Sequence, residues 1–266
     1  MSAWILLRGL TRESRHWGDF PQMLHDACPA MATHTLDLPG NGRLNEQASP
    51  THVEAMAEHC RMQLREQGIA PPYFLLAMSL GAMVAVSWMS RHPEEIGGGV
   101  LINTSLRPFS PFHHRLRPHN YLPLARLLLH GGTVEERERT ILRLTSCNAE
   151  RPETLAAWAA HAHQNPVSSR NALRQLLAAA RYRAPAARPA PPMLILASTQ
   201  DRLVNPRCSR RLARCWKTDF AEHPGAGHDL PLDDGPWVAE QASHWLQDLA
   251  RRPPFAIADD ACLPKP

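Results

Sequence analysis

No stretch of the chain approaches the roughly 18 consecutive apolar residues that a membrane-spanning helix needs. The opening segment, MSAWILLRGLTRES, holds one short apolar run with no basic region ahead of it, unlike a secretory signal. Both features point to a cytoplasmic protein. The six cysteines (Cys28, Cys60, Cys147, Cys208, Cys215 and Cys262) include no C-x-x-C pair. Without an export signal they read as free thiols, not as a disulfide framework. Lysine is nearly missing: only Lys217 and Lys265 occur, and every other basic side chain is arginine or histidine. A formal net charge of +4 is too small to argue for a nucleic-acid partner.

What is present suits a soluble globular chain. At 266 residues, with 44% hydrophobic and 20% charged residues, it is long enough for one large α/β domain or a core with an insertion. Apolar runs at Trp4–Leu7, Tyr73–Ala77 and Val100–Asn103 read as strands, and Ala32–Leu38 fits another, closed by the turn signal Pro39-Gly40-Asn41-Gly42. Helical patterns alternate with them: residues 17–28, Ser49–Gln67 with Ser49 as N-cap before Pro50, and Gly81–Arg91 stopped before Pro93. Alternation of this kind predicts a parallel sheet covered by helices on both faces.

The alternation then breaks. From 106 to 190 no convincing strand occurs, and helices are expected at Leu122–Leu129, Val134–Leu144, Thr154–Ala162 and Ser169–Arg183. Pro185, Pro189, Pro191 and Pro192 lead back to a strand at Met193–Ala197, a helix from Pro206 to Trp216, a strand at Thr218–Glu222 and a helix at Pro236–Leu249. The expected organisation is a core of 1–105 and 191–250, a helical insertion at 106–190 and a Pro-rich surface tail at 251–266. Above the carboxyl ends of the strands, such an insertion is a lid.

Three segments carry chemistry. Ala77-Met78-Ser79-Leu80-Gly81 lies between an apolar strand and an apolar helix, where a nucleophile sits on a sharp, strained turn. Positions two before and two after such a serine must be small; Gly81 meets this, and Ala77 adds one methyl. Asp201 follows the apolar Leu194–Ala197 run in Asp-Arg-Leu-Val-Asn-Pro, and His228 follows 27 residues later in His-Pro-Gly-Ala-Gly-His-Asp-Leu-Pro. The order Ser79, Asp201, His228 fits a nucleophile, an orienting carboxylate and a general base.

With Arg8-Gly9, Trp17 and Asp37-Leu-Pro-Gly40-Asn-Gly42, these segments make the chain resemble an α/β-hydrolase fold protein with a helical cap, over nearly its whole length. Among relatives it is similar to small capped carboxylester hydrolases, including esterases that demethylate pimeloyl esters on acyl carrier protein. The resemblance implies an oxyanion hole from the backbone N–H groups of Leu10 and Leu80, an apolar pocket near Met78 and Leu230, and no cofactor. It also implies three departures: Ala77 in place of the first glycine, a missing amino-terminal hairpin, and Arg8 where the family has histidine.

Arg8 has two readings, an ion pair with a loop carboxylate such as Asp37 or Asp19, or recognition of an acidic substrate group. The 106–190 segment holds thirteen Arg and five Glu with no Lys or Asp, an excess of eight positive charges, leaving the rest at −4. Such a lid is either a solvated face or a surface for an acidic partner, such as acyl carrier protein or a coenzyme A ester. His113-His114 and His161-x-His163 lack carboxylates or thiols at ligand spacing, so no metal is expected. The leading reading is a serine hydrolase acting on a carboxylic ester or thioester. A C–C bond hydrolase or lyase, and a hydrolase-like binding protein with little turnover, remain open at this level.

Overall fold

The computed structural model describes residues 2–252 apart from 130, 131 and 149. Cys262 and most of the expected 251–266 tail lie outside the described residues. Six strands form one sheet: β1 (Ala3–Leu7), β2 (Ala32–Leu36), β3 (Tyr73–Met78), β4 (Ile96–Ile102), β5 (Met193–Ser198) and β6 (Asp219–His223). Their spatial order is β2-β1-β3-β4-β5-β6, and every neighbouring pair is parallel.

The period of two along each strand divides the core. Ile5, Leu7, Leu75, Ala77 and Ile195 face one cluster, which includes α2 (Val53–Glu66), α3 (Leu80–Arg91) and α9 (Arg207–Trp216). Trp4, Leu6, Leu76, Leu194 and Leu196 face the other, built with α1 (Phe20–Ala27) and α11 (Gly235–Arg251). The inner strands β1, β3 and β5 are buried on both faces and read as continuous apolar runs, which is why their sequences are legible, whereas the edge strands β2 and β6 are only partly buried. Between β4 and β5 come α4 (Phe112–Arg115), α5 (Tyr121–Leu129), α6 (Val134–Thr145), α7 (Pro152–Gln164) and α8 (Ser169–Arg181); α10 (Leu230–Asp233) precedes α11. The two stems of this inserted stretch meet at a bridge between Arg107 and Arg183, with Ala184 N–H donating to Arg107 O at 2.7 Å. None of these helices is long and apolar enough to cross a membrane. Cys28, Cys60, Cys147 and Cys208 are free thiols.

Two expectations are corrected. The helix expected from Ser49 begins at Val53, with extended His52 as its N-cap. Ser49 is fully buried and used elsewhere: its hydroxyl donates to Pro39 O (2.6 Å), and Asn171 and Gln175 of α8 bond its N–H and its oxygen. The strand expected at Val100 begins earlier, at Ile96, through Gly97-Gly98-Gly99. Those glycines show no apolar pattern because neighbours occupy their side-chain space. A Cβ would come within 2.5 Å of Phe74, 2.9 Å of Trp245 and 2.2 Å of Met89, respectively.

At the far end of α3, Glu95 gathers Arg61 Nη2 (2.6 Å), Arg61 Nε (2.8 Å), Arg65 Nη2 (3.0 Å) and Trp88 Nε1 (2.9 Å). The Arg61 guanidinium, with help from Trp88, holds the Glu95 carboxyl down at about 2. Because its folded value lies below its unfolded one, the stability it contributes is complete above about pH 4.5 and is lost as pH falls toward about 2. We expect Arg61→Ala to lower the unfolding free energy at pH 7 and to flatten its decline between those pH values. Urea denaturation at pH 7, 4.5 and 3 checks this; parallel curves for both proteins would remove the Glu95 contribution.

Candidate active site

β1 leads outward to β2, whereas β3, on its other side, leads inward to β4. A crevice opens outside the carboxyl ends of parallel strands at such a reversal. The register sets Leu7 beside Ala77, so Arg8-Gly9 and Met78-Ser79 leave the sheet side by side.

Ser79 occupies the left-handed half of conformational space (φ 56°, ψ −115°), between the last residue of β3 and the first of α3. A non-glycine residue there costs on the order of 1–3 kcal/mol, supplied by the packing around it. A Cβ on Gly81 would lie 2.4 Å from Leu7 O and 2.6 Å from Arg8 O, so only glycine lets α3 start against β1. A Cβ on Gly9 would come 3.2 Å from Ser79 Cβ, which explains the second glycine. Ala77 is fully buried within the core, where its methyl is accommodated. The N–H groups of Leu10 and Leu80 have no partner among the described residues. Leu80 opens α3, where N–H groups are orphaned by helix geometry. Both donors are therefore uncommitted.

His228 and Asp201 are both 2% exposed. His228 Nδ1 lies 2.7 Å from Asp201 Oδ2, while Asp201 Oδ1 accepts the N–H groups of Leu203 and Val204, each at 2.8 Å. A carboxylate fixed by two backbone donors assigns the proton to Nδ1 and leaves Nε2 as the basic nitrogen. Ser79 and His228 line one cavity. No hydrogen bond joins the Ser79 hydroxyl to the ring, and contacts of this type shorten when substrate packs against them.

The histidine loop is held by residues that sequence reasoning missed. Asn103, at the end of β4 with φ 46°, donates through Nδ2 to His228 O (2.8 Å) and accepts Ser198 N–H through Oδ1 (2.9 Å). Asp233 accepts Gly227 N–H (2.7 Å), Cys147 N–H (2.9 Å) and the Ser146 hydroxyl (2.5 Å), and Asp229 N–H donates to Thr145 O at 2.7 Å. The joint between α6 and α7 is thus bonded to the loop carrying His228. The one available signal was Asn at the carboxyl end of a strand; partners this distant leave no local pattern.

Arg8 is 2% exposed and paired with Asp229, not with Asp37 or Asp19. Nη1 and Nη2 reach Oδ1 and Oδ2 at 3.0 and 2.5 Å, and the guanidinium carbon stands 4.8 Å over the Trp17 ring. Asp37 instead accepts Ser14 N–H and hydroxyl at 2.7 and 2.6 Å. Arg8 lines the cavity, but both of its terminal nitrogens are committed to the residue after His228. Met78 lines the cavity. Leu230 does not: it is fully buried beneath α11 with Trp4 and Val238. The remaining wall is mostly apolar, from Leu124, Leu127, Ile141, Leu144, Val167 and Leu176.

Several arginines of the inserted segment serve internal contacts instead of a free surface. Arg107 and Arg115 donate to Ala180 O and Ala179 O at the end of α8, where unpaired carbonyls favour cations, and Arg151 donates to Leu232 O. The one group of metal-type donors among the described residues is His92, Glu94 and Glu95. Glu95 there is already taken up by Arg61, Arg65 and Trp88.

The sequence profile of the alpha/beta hydrolase family matches residues 4–241. No curated protein matches the sequence. Among solved structures, a thermophilic esterase from Thermogutta terrifontis superposes with a TM-score of 0.73 at 20% identity, covering 94% of this chain and 90% of that one. The enol-lactonase of Burkholderia xenovorans gives 0.73 at 18% identity, with 95% and 92% covered. An esterase from a Rhodococcus species gives 0.72 at 18% identity, with 93% and 91% covered. At such identities the likeness is one of fold.

Removing one partner of a buried ion pair leaves an uncompensated charge, at about 3–5 kcal/mol. We expect Arg8→Met to destabilise the protein on that scale, and Arg8→Met/Asp229→Leu to recover much of the loss. A double-mutant cycle by urea denaturation measures the coupling; additive losses would mean the two side chains act independently.

Proposed function

Since the chain belongs to the alpha/beta hydrolase family, we propose that it is a serine hydrolase cleaving a carboxylic ester or thioester through an acyl-enzyme. The observation carrying this reading is the strained Ser79 turn, which opens on the same cavity as a His228 imidazole oriented by Asp201. Ser79 Oγ attacks the carbonyl carbon as its proton passes to His228 Nε2, and the N–H groups of Leu10 and Leu80 receive the developing oxyanion. Collapse expels the alcohol or thiol, protonated by His228, and leaves the acyl group on Ser79. A water deprotonated by His228 then attacks the acyl carbon, releasing the acid and restoring the serine.

The helices between β4 and β5 supply much of the cavity wall, which supports reading them as a cap that selects the acyl or alcohol part. The surplus of arginine in that segment supports an acidic or carrier-bound acyl substrate, with the cap as the docking face. A structural neighbour described as an enol-lactonase shows that this fold also hosts lactone cleavage, itself an ester hydrolysis.

We expect a fluorophosphonate probe to label the wild type and not Ser79→Ala. We also expect Ser79→Ala and His228→Ala each to lower kcat on a short acyl ester by roughly 10³-fold or more. Mass spectrometry of the labelled peptide and steady-state kinetics check both. Equal labelling of Ser79→Ala would overturn the nucleophile assignment.

A further inference from the structure

The cavity has a polar corner that the proposed chemistry does not use. Arg12, on the loop after β1, and Glu138, on α6, are each 7% exposed and line the cavity. They meet through Arg12 Nη1 and Glu138 Oε2 at 2.6 Å, and the guanidinium carbon lies 4.7 Å over the Trp158 ring. Arg12 Nη1 also lies 2.8 Å from His16 Nε2. Among the described residues, Nε and Nη2 of Arg12 and Oε1 of Glu138 make no hydrogen bond. They differ from Arg8 Nε, which is sealed away without a partner; the uncommitted atoms of this pair are not sealed, and both residues line the cavity.

Charge in the corner is balanced. Glu13, which also lines it, is paired with Arg15 and accepts Asn165 Nδ2 at 3.1 Å. Burial pushes His16 well below the ordinary imidazole range, helped by Arg12, and burial likewise lowers His161. Both rings are neutral at pH 7. A carboxylate placed here would meet a guanidinium already neutralised by Glu138, and would sit beside that like charge. An ammonium would meet the reverse. Neither would find a counter-charge of its own among Arg12, Glu138, Glu13, His16 and His161, and desolvating it there is costly. A neutral group that both accepts and donates satisfies Arg12 and Glu138 together and leaves the pair intact.

Resting on the hydrolase reading above, we infer that the substrate bears a neutral hydrogen-bonding group, a carboxamide or hydroxyl, remote from the scissile carbonyl, and that Arg12 and Glu138 bind it. The test is a matched series of aryl esters of equal chain length ending in a carboxamide, a carboxylate or an isosteric branched alkyl group. Fluorophosphonate labelling, run alongside, reports whether the nucleophile works whatever the preference. We expect kcat/KM for the carboxamide to exceed that for both others by roughly tenfold, the scale of one buried hydrogen-bonded contact. Glu138→Gln frees the Arg12 charge while keeping size, so the ratio of carboxylate to carboxamide turnover should rise by roughly tenfold. Equal turnover of the carboxamide and alkyl esters by the labelled wild type would overturn the inference. So would preference for the carboxylate, which would point instead to Arg137, a lining cation with no carboxylate partner among the described residues.

Discussion

The closest approach in the molecule that matters for chemistry is between the end of β1 and the turn that follows β3. Gly81 lies under the carbonyl oxygens of Leu7 and Arg8, with no room for a methyl group, and Gly9 lies against Ser79. That contact holds Ser79 in a backbone conformation it would not choose alone. It also places Leu80, the residue after the serine, at the first position of α3. The parallel register of β1 and β3 makes the contact possible, because it brings their carboxyl ends out at the same height. Everything else at the site is arranged around a serine fixed by backbone packing.

Charge inside the molecule is handled in pairs. Arg8 with Asp229 and Arg12 with Glu138 are both buried, and each joins segments distant in sequence. Buried pairs contribute little net stability against apolar replacements, but a broken one is expensive. Their effect is therefore to fix arrangement: Arg8 holds the loop after β1 to the residue following His228, and Arg12 holds the same loop to α6. The Asp233 contacts to Ser146, Cys147 and Gly227 complete the circuit. The joint between α6 and α7, the loop after β1 and the histidine loop are therefore bonded to one another around the cavity.

The arginine-rich composition of the insertion looks different once its contacts are known. Arg107, Arg115 and Arg151 are spent on backbone carbonyls, and one glutamate of the segment, Glu138, is spent on Arg12 of the core. Counting charges in a segment measures its field from far away; it does not measure how many of those charges remain free to meet a partner.

The sheet and the order of Ser79, Asp201 and His228 were legible because each is a local pattern. Apolar runs mark strands buried on both faces, and Ser79 and Asp201 each stand just past one, while His228 follows the edge strand β6. Two local readings failed where tertiary contacts overrode local preference. Ser49 looked like a helix cap but is drawn into bonds with α8, and the strand through Gly97–Gly99 was hidden because Phe74, Trp245 and Met89 fill the space its side chains would occupy. The partner of Arg8, the support from Asn103 and the polar corner of Arg12 and Glu138 could not be read along the chain. They join residues from about 95 to more than 200 positions apart, and a hydrogen bond between such groups depends on where the sheet and the inserted helices put them. Sequence alone determined which residues stand where the proposed chemistry would need them. Only the folded chain decided which side chains hold them in place and which charges still face the cavity, because burial and pairing are properties of neighbours in space.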